Sequence, residues 1–275
     1  MKGRDKFAVT TLVILHVCIW TSSILRNFGI HYWNKQHALQ VVHEAANDGV
    51  VGDSTYLIQV SESYLTKRYV YFLPHVTCAI IWWNLYFLQL IPKVRHAFKK
   101  ALHRRLGRVL MVSVFIQIIT GAGLALTSDS KVITMISVWF AVAVTYCLYY
   151  AWKFAIQRDI PRHKFWVLRM VGYLQGISFQ RFWLIVIISS YELGWRGLYP
   201  TMEAGSTVEA CNAVVKDMFD HSFILSILTS VYLTEWYLSE EFGMTLSSKD
   251  DAEPIEAHEP LGDELHNEES RLIVN

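Results

Sequence analysis

Long apolar runs alternate with short charged ones along this chain. Six runs approach or exceed the roughly 20 residues that a helix needs to cross about 30 Å of hydrocarbon. They are Phe7–Leu25, Tyr69–Ile91, Val109–Thr127, Val132–Ile156, Phe165–Ser190 and Phe219–Leu238. Pro92 closes the second run, and Lys153 in the fourth can snorkel to the surface. The pattern predicts an all-α fold, a polytopic six-helix transmembrane bundle. The first run reads as a retained helix rather than a cleaved signal peptide, because it is long for one and no small-x-small cleavage site follows it.

Four stretches follow from this pattern. Residues 1–68 hold the first transmembrane helix and a long outer loop. Residues 69–190 form a four-helix core, 191–238 an outer loop and the sixth span, and 239–275 a tail. The loop from Arg26 to Arg68 is long enough for short helices, with His37–Asn47 as a candidate. From Glu240 onward the tail carries 11 acidic residues against Lys249 and Arg271, with few large apolar side chains, so it is expected to be disordered.

Composition agrees. Hydrophobic residues make up 53% and charged ones 18%, where a soluble domain carries about 25% charged. The bases are uneven. Three short segments, 1–6, 93–108 and 153–169, hold 15 Lys and Arg, while the opposite segments, 26–68, 128–131 and 191–220, longer in total, hold 7. Basic loops stay cytoplasmic, and six crossings put those three segments on one side, so both termini are expected in the cytoplasm. This topology explains the seven bases between Lys93 and Arg108, which therefore do not indicate a nucleic-acid site. The lipid bilayer is the partner implied. Cys18, Cys78, Cys147 and Cys211 stand singly, without metal or disulfide spacing.

Ionisable groups inside a bilayer usually face the bundle interior and find partners. Arg169 lies about 6 Å inside the inner boundary at 1.5 Å per residue, and Glu235 reaches a similar level, so an ion pair between the fifth and sixth spans is expected. Arg181 lies about 13 Å and His75 about 9 Å from the outer boundary. These two either share a polar pocket, or Arg181 bonds carbonyls, Gln175 or Gln180. Ser113, Gln117 and Thr120 lie along one face of the third span. Gly172 and Gly176 form a small-xxx-small step beside Arg169 and Gln180, which lets helices approach closely. The histidines fall at two levels: His75 and His221 near the outer side, His103 and His163 at the inner side. Facing imidazoles at one level would suit bis-His ligation of haem b, with Arg181 or the arginines at 104–108 on its propionates.

The stretches LHRRLGRV, 102–109, and DIPRHKFWVLR, 159–169, each open an apolar helix. Together with the His in LPHV, His75, and the later Arg181, they resemble the motifs of the membrane family called domain of unknown function 2306. The resemblance covers about Tyr69 to Ile188. It implies that His75, His103, Arg104, Gly107, Arg108, His163, Arg169 and Arg181 sit at motif positions, but it brings no established activity. Physically, HRRLGR reads as a helix start at the lipid surface. Its arginines can hold phosphates or carboxylates, and its glycine can allow close backbone approach. The chain is also loosely similar to six-helix b-type cytochromes, but its fourth span carries no His.

Three readings stay open: a haem-binding or electron-transfer protein, a small-molecule or ion transporter using the polar faces with Arg181, and a non-catalytic structural membrane protein. Phosphate-loop, Ser-His-Asp and HExxH patterns are absent, which argues against a soluble-type hydrolase. Near the end of the chain, Glu268, Leu272 and Ile273 resemble an acidic dileucine signal for cytosolic sorting adaptors. In a eukaryotic source this would place the protein in endosomal, lysosomal or plasma membranes.

Overall fold

A computed structural model describes residues 10–15, 17, 54–90, 100–195, 199–200 and 207–243. Within these residues the chain is helical, with no strand. Residues 10–15 and 17 are helical, and from residue 54 onward seven helices follow one another among the described residues: α1 (Tyr56–Leu65), α2 (Tyr69–Leu90), α3 (Lys100–Leu126), α4 (Lys131–Ile156), α5 (Ile160–Leu174), α6 (Gly176–Glu192) and α7 (Val208–Phe242). The candidate helix at His37–Asn47, the tail beyond Gly243 with Glu268, Leu272 and Ile273, and Cys18 lie outside the described residues.

The helix ends have local causes. Ser130 caps α4 by accepting from the Ile133 N–H at 3.2 Å. Asp159 caps α5 by accepting from the Arg162 N–H at 3.1 Å, with Pro161 in the first turn where its missing donor costs nothing. Thr207 caps α7, and Gly243, at φ 63°, ends it in the left-handed conformation.

Two helices outrun their apolar runs. α3 starts nine residues before Val109, so HRRLGR forms its opening turns. α7 starts eleven residues before Phe219 and continues four residues past Leu238. Its 35 residues extend about 52 Å at 1.5 Å each, well beyond a hydrocarbon core. Counting apolar residues finds the embedded part of a helix and misses its polar extensions. For the same reason residues 239–242, expected in the tail, are helical.

Three helical stretches among the described residues are long and apolar enough to cross a membrane: Ala101–Leu126, Lys131–Ile156 and Ile160–Glu192, with mean hydropathies of 2.2, 1.9 and 1.4. The expected count was six. α2 is diluted by His75, Trp82, Trp83, Asn84, Tyr86 and Gln89, and α7 by its charges and serines. Most of the first run lies outside the described residues.

The helices pack in sequence, α2 on α3, α3 on α4 and α4 on α5, while α7 packs along both α5 and α6. The main core joins Trp82, Trp83 and Tyr86 of α2 to Val114 of α3, Val144 and Cys147 of α4, and Met170, Val171 and Tyr173 of α5. Trp82 stacks on Tyr86 with ring centroids 4.4 Å apart. Outward, α4 exposes Met135, Trp139, Val142 and Tyr149. Such a surface is unfavourable in water and suits acyl chains. Cys78, Cys147 and Cys211 are buried, free thiols, in keeping with their single placement.

Candidate functional site

The long α7 presents one small polar residue per turn, Ser222, Ser226, Ser230 and Thr234, all buried. Each hydroxyl returns a hydrogen bond to its own helix, for example Ser226 Oγ to the Phe223 carbonyl at 2.7 Å. With their polar atoms satisfied, these side chains let another helix come close. That helix is the α5–α6 pair. A Cβ on Gly172 would collide with Thr234, and one on Gly176 would meet Ser230 Oγ at 3.5 Å. The expected small-xxx-small step is therefore the point of closest approach.

At one end of this seam the expected ion pair forms. Arg169 Nε and Nη2 donate to Glu235 Oε1 and Oε2 at 2.6 and 2.5 Å, a two-pronged pairing. Tyr173 donates to Glu235 Oε1 at 2.6 Å. The guanidinium lies over the Phe165 and Trp166 rings, 5.3 and 5.2 Å from their centroids. Side-chain exposures of 18% and 13% for Arg169 and Glu235 make this a largely desolvated pair, held by hydrogen bonds on both members.

One turn further along, the fifth apolar run breaks. The Gln175 N–H bonds the Gly172 carbonyl at 3.1 Å, a tightened turn. Gln175 Nε2 donates to the Val171 carbonyl at 3.1 Å, so the side chain caps the interrupted helix. The Tyr86 phenol of α2 faces the same amide. Gln175 and Ser178 are buried, yet among the described residues Gln175 Oε1 and Ser178 Oγ have no hydrogen-bond partner. Beyond the break, Gln180 Nε2 donates to Ser222 Oγ at 2.9 Å, and Trp183 Nε1 to Thr229 Oγ1 at 3.0 Å.

A second polar cluster lies at the opposite end of α7. Ser130 Oγ donates to Asp220 Oδ2 at 2.7 Å, while Asp220 Oδ1 is buried without a hydrogen-bond partner among the described residues. Asn212 Oδ1 accepts from Ser54 Oγ at 2.9 Å and from the Thr55 N–H at 2.8 Å, tying the start of α1 to α7. Arg68 pairs with Asp129 at 3.3 Å. Burial, with the Asp220 carboxylate adding to it, pushes the Tyr56 phenol up to about 12. Asp220 was missed in sequence because, at the second position of the sixth apolar run, it has no partner that hydropathy alone would point to.

The histidines occupy different surroundings. His75 Nδ1 lies 3.2 Å from Thr120 Oγ1 in the α2–α3 seam. His163 Nδ1 meets the Ala151 carbonyl at 2.8 Å, between α4 and α5. His221 Nδ1 meets the Tyr199 hydroxyl at 3.0 Å. The His103 carbonyl accepts from Gln89 Nε2 at 3.1 Å. Arg181 lies on α6, whose extensive packing is against α7, whereas His75 lies where α2 packs on α3. Arg104 and Arg108 are exposed near the start of α3. Among the described residues, nothing lies within 4 Å of where a Cβ on Gly107 would be, so the space beside it is open.

The motif residues thus belong to a bundle whose helices carry apolar faces outward and polar contacts inward. A family described as "Predicted membrane protein (DUF2306)" matches residues 72–211. The chain belongs to this family. With its long apolar helices it is an integral membrane protein. The family match begins in α2 and ends four residues into α7, so Arg169, Gln175, Ser178 and Arg181 lie inside it. Glu235, the partner of Arg169, lies outside. No curated protein and no solved structure matches the chain.

Proposed function

We propose that this protein passes a small, neutral, hydrogen-bonding solute across the membrane, and that the solute rests at the break between α5 and α6. One observation carries the reading: Gln175 Oε1 and Ser178 Oγ, two side-chain oxygens buried at that break, have no hydrogen-bond partner among the described residues. In hydrocarbon an unsatisfied polar group costs several kcal/mol, so a pair of them calls for a visiting donor. The depth fits. Gln175 stands ten residues beyond Phe165, about 15 Å at 1.5 Å per residue, the middle of a 30 Å core. Irregular backbone is tolerated at that depth where it lines a solute site, as in secondary transporters. The Arg169–Glu235–Tyr173 cluster closes one end of the seam with charges already paired, which favours a neutral solute over an ion.

The proposal takes six crossings with both termini in the cytoplasm, supported by the 15 bases on one set of segments against 7 on the other. The haem reading draws no support from the imidazoles, since His75, His163 and His221 each bond a different neighbour.

Ser178→Cys tests the site, in a background whose native cysteines are replaced. In sealed vesicles a membrane-impermeant thiosulfonate, added to one side at a time, should modify Cys at 178. Cys placed at Val144, buried in the core at a different face, should stay unmodified. Complete protection of position 178 from both sides, in protein that elutes as a single folded species, would contradict a solute path.

A further inference from the structure

We propose that the opening turns of α3 form a binding site for one anionic phospholipid, its phosphate held by Arg104, Arg105 and Arg108. These residues and Ala101 line a shallow groove of about 170 Å³ on the protein surface. Their spacing puts all four on one face of the helix. All three arginines are exposed, and none is in an ion pair among the described residues. Four other basic side chains are matched: Arg68 by Asp129, Arg162 by Asp159, Lys164 by Glu241 and Arg169 by Glu235. The sequence from Pro92 to Arg108 contains no acid that could do the same.

The same face continues as a lipid surface. Stepping four, three and four residues on from Arg108 gives Val112, Phe115 and Ile119, which are 52%, 54% and 54% exposed. From Arg108 to Ile119 the helix rises about 16 Å, the depth of one leaflet's acyl chains. A phosphate-sized charge site therefore sits at the head of an apolar stripe as long as the tail beneath it. Free phosphate would use only the arginines; a phospholipid uses both parts. Guanidinium groups suit the phosphate, since each can donate two parallel hydrogen bonds. Clustered bases also favour anionic over zwitterionic headgroups. The site is separate from the α5–α6 break and does not depend on the transport reading.

The test is native mass spectrometry of the full chain released from mixed micelles containing phosphatidylglycerol or phosphatidylcholine with identical acyl chains. One phosphatidylglycerol per chain should be retained, on the order of a hundredfold more tightly than phosphatidylcholine, given about 1 kcal/mol per clustered base near a headgroup. The Arg104→Ala/Arg105→Ala/Arg108→Ala variant should lose the preference, and Lys153→Ala/Arg158→Ala, which removes two bases elsewhere, should keep it. If the triple variant does not elute as a single species, Arg104→Gln and Arg108→Gln are used singly, each expected to weaken retention roughly fivefold. Equal retention of the two lipids, an unchanged arginine variant, or an equal loss in the Lys153/Arg158 control would overturn the proposal. So would displacement of the lipid by millimolar inorganic phosphate, which would make the site one for the free anion.

Discussion

Replacing Arg169 with Gln alone should destabilise the detergent-solubilised protein by about 3–5 kcal/mol, more than replacing Arg169 and Glu235 together. The single change leaves the Glu235 carboxylate buried with only the Tyr173 hydroxyl, after losing two charge-assisted bonds at 2.6 and 2.5 Å. Removing one partner strands a desolvated charge, whereas removing both also removes the desolvation cost. The cycle of Arg169→Gln, Glu235→Gln and the double variant, read by thermal or denaturant unfolding, should therefore be strongly non-additive. Additive single effects would mean that the pair contributes no coupling across the α5–α7 seam.

The second large effect is steric. Gly172→Ala should cost about 1–3 kcal/mol, the range for an added methyl in a filled interior, while Gly176→Ala should be nearly neutral. The nearest atoms to a new Cβ at 172 are Oγ1, Cγ2 and Cβ of Thr234, all too close for a real contact. Thr234 is β-branched and bonded to the Ser230 carbonyl at 2.5 Å, so it has little freedom to turn away. At Gly176 the nearest atom is Ser230 Oγ at 3.5 Å, an ordinary contact. Adding Thr234→Ala to Gly172→Ala should recover part of the loss by removing Oγ1 and Cγ2. Equal melting temperatures for the two glycine variants would show that α7 does not approach α5 this closely.

The sequence made some of this site visible. Depth arithmetic alone put Arg169 and Glu235 at one level, because a helix rises uniformly and a buried Arg needs a partner. The Gly172–Gly176 step was readable for a related reason, since paired glycines one turn apart in an apolar run serve packing. The receiving surface was not readable. Ser222, Ser226, Ser230 and Thr234 are close to neutral in hydropathy, and their four-residue spacing gains meaning only beside a second helix. Nor was the break at Gln175 readable. No proline marks it, and the capping of the Val171 carbonyl by the Gln175 side chain follows from three-dimensional placement. The histidine levels could be estimated in the same way as those of Arg169 and Glu235. Which helices face each other could not, and the imidazoles instead bond Thr120, Ala151 and Tyr199.

The helix ends show the same limit. The apolar runs located α2, α4 and the α5–α6 pair closely. They missed the first turns of α3 and the first eleven residues of α7, where side chains such as Arg104, Arg105, Glu209, Lys216 and Asp217 interrupt the apolar pattern. Asp220 lies just past that stretch, at the start of the sixth apolar run, and is buried on Ser130 at the start of α4.

The most direct test of the solute site is an electron-microscopy density map of the full chain in a lipid nanodisc, resolved well enough to show ordered non-protein density. The account predicts a discrete non-protein feature within hydrogen-bonding distance of both Gln175 Oε1 and Ser178 Oγ, absent when Ser178→Ala and Gln175→Leu are combined. A dry seam in the wild-type protein, with both oxygens bonded to protein donors instead, would contradict it.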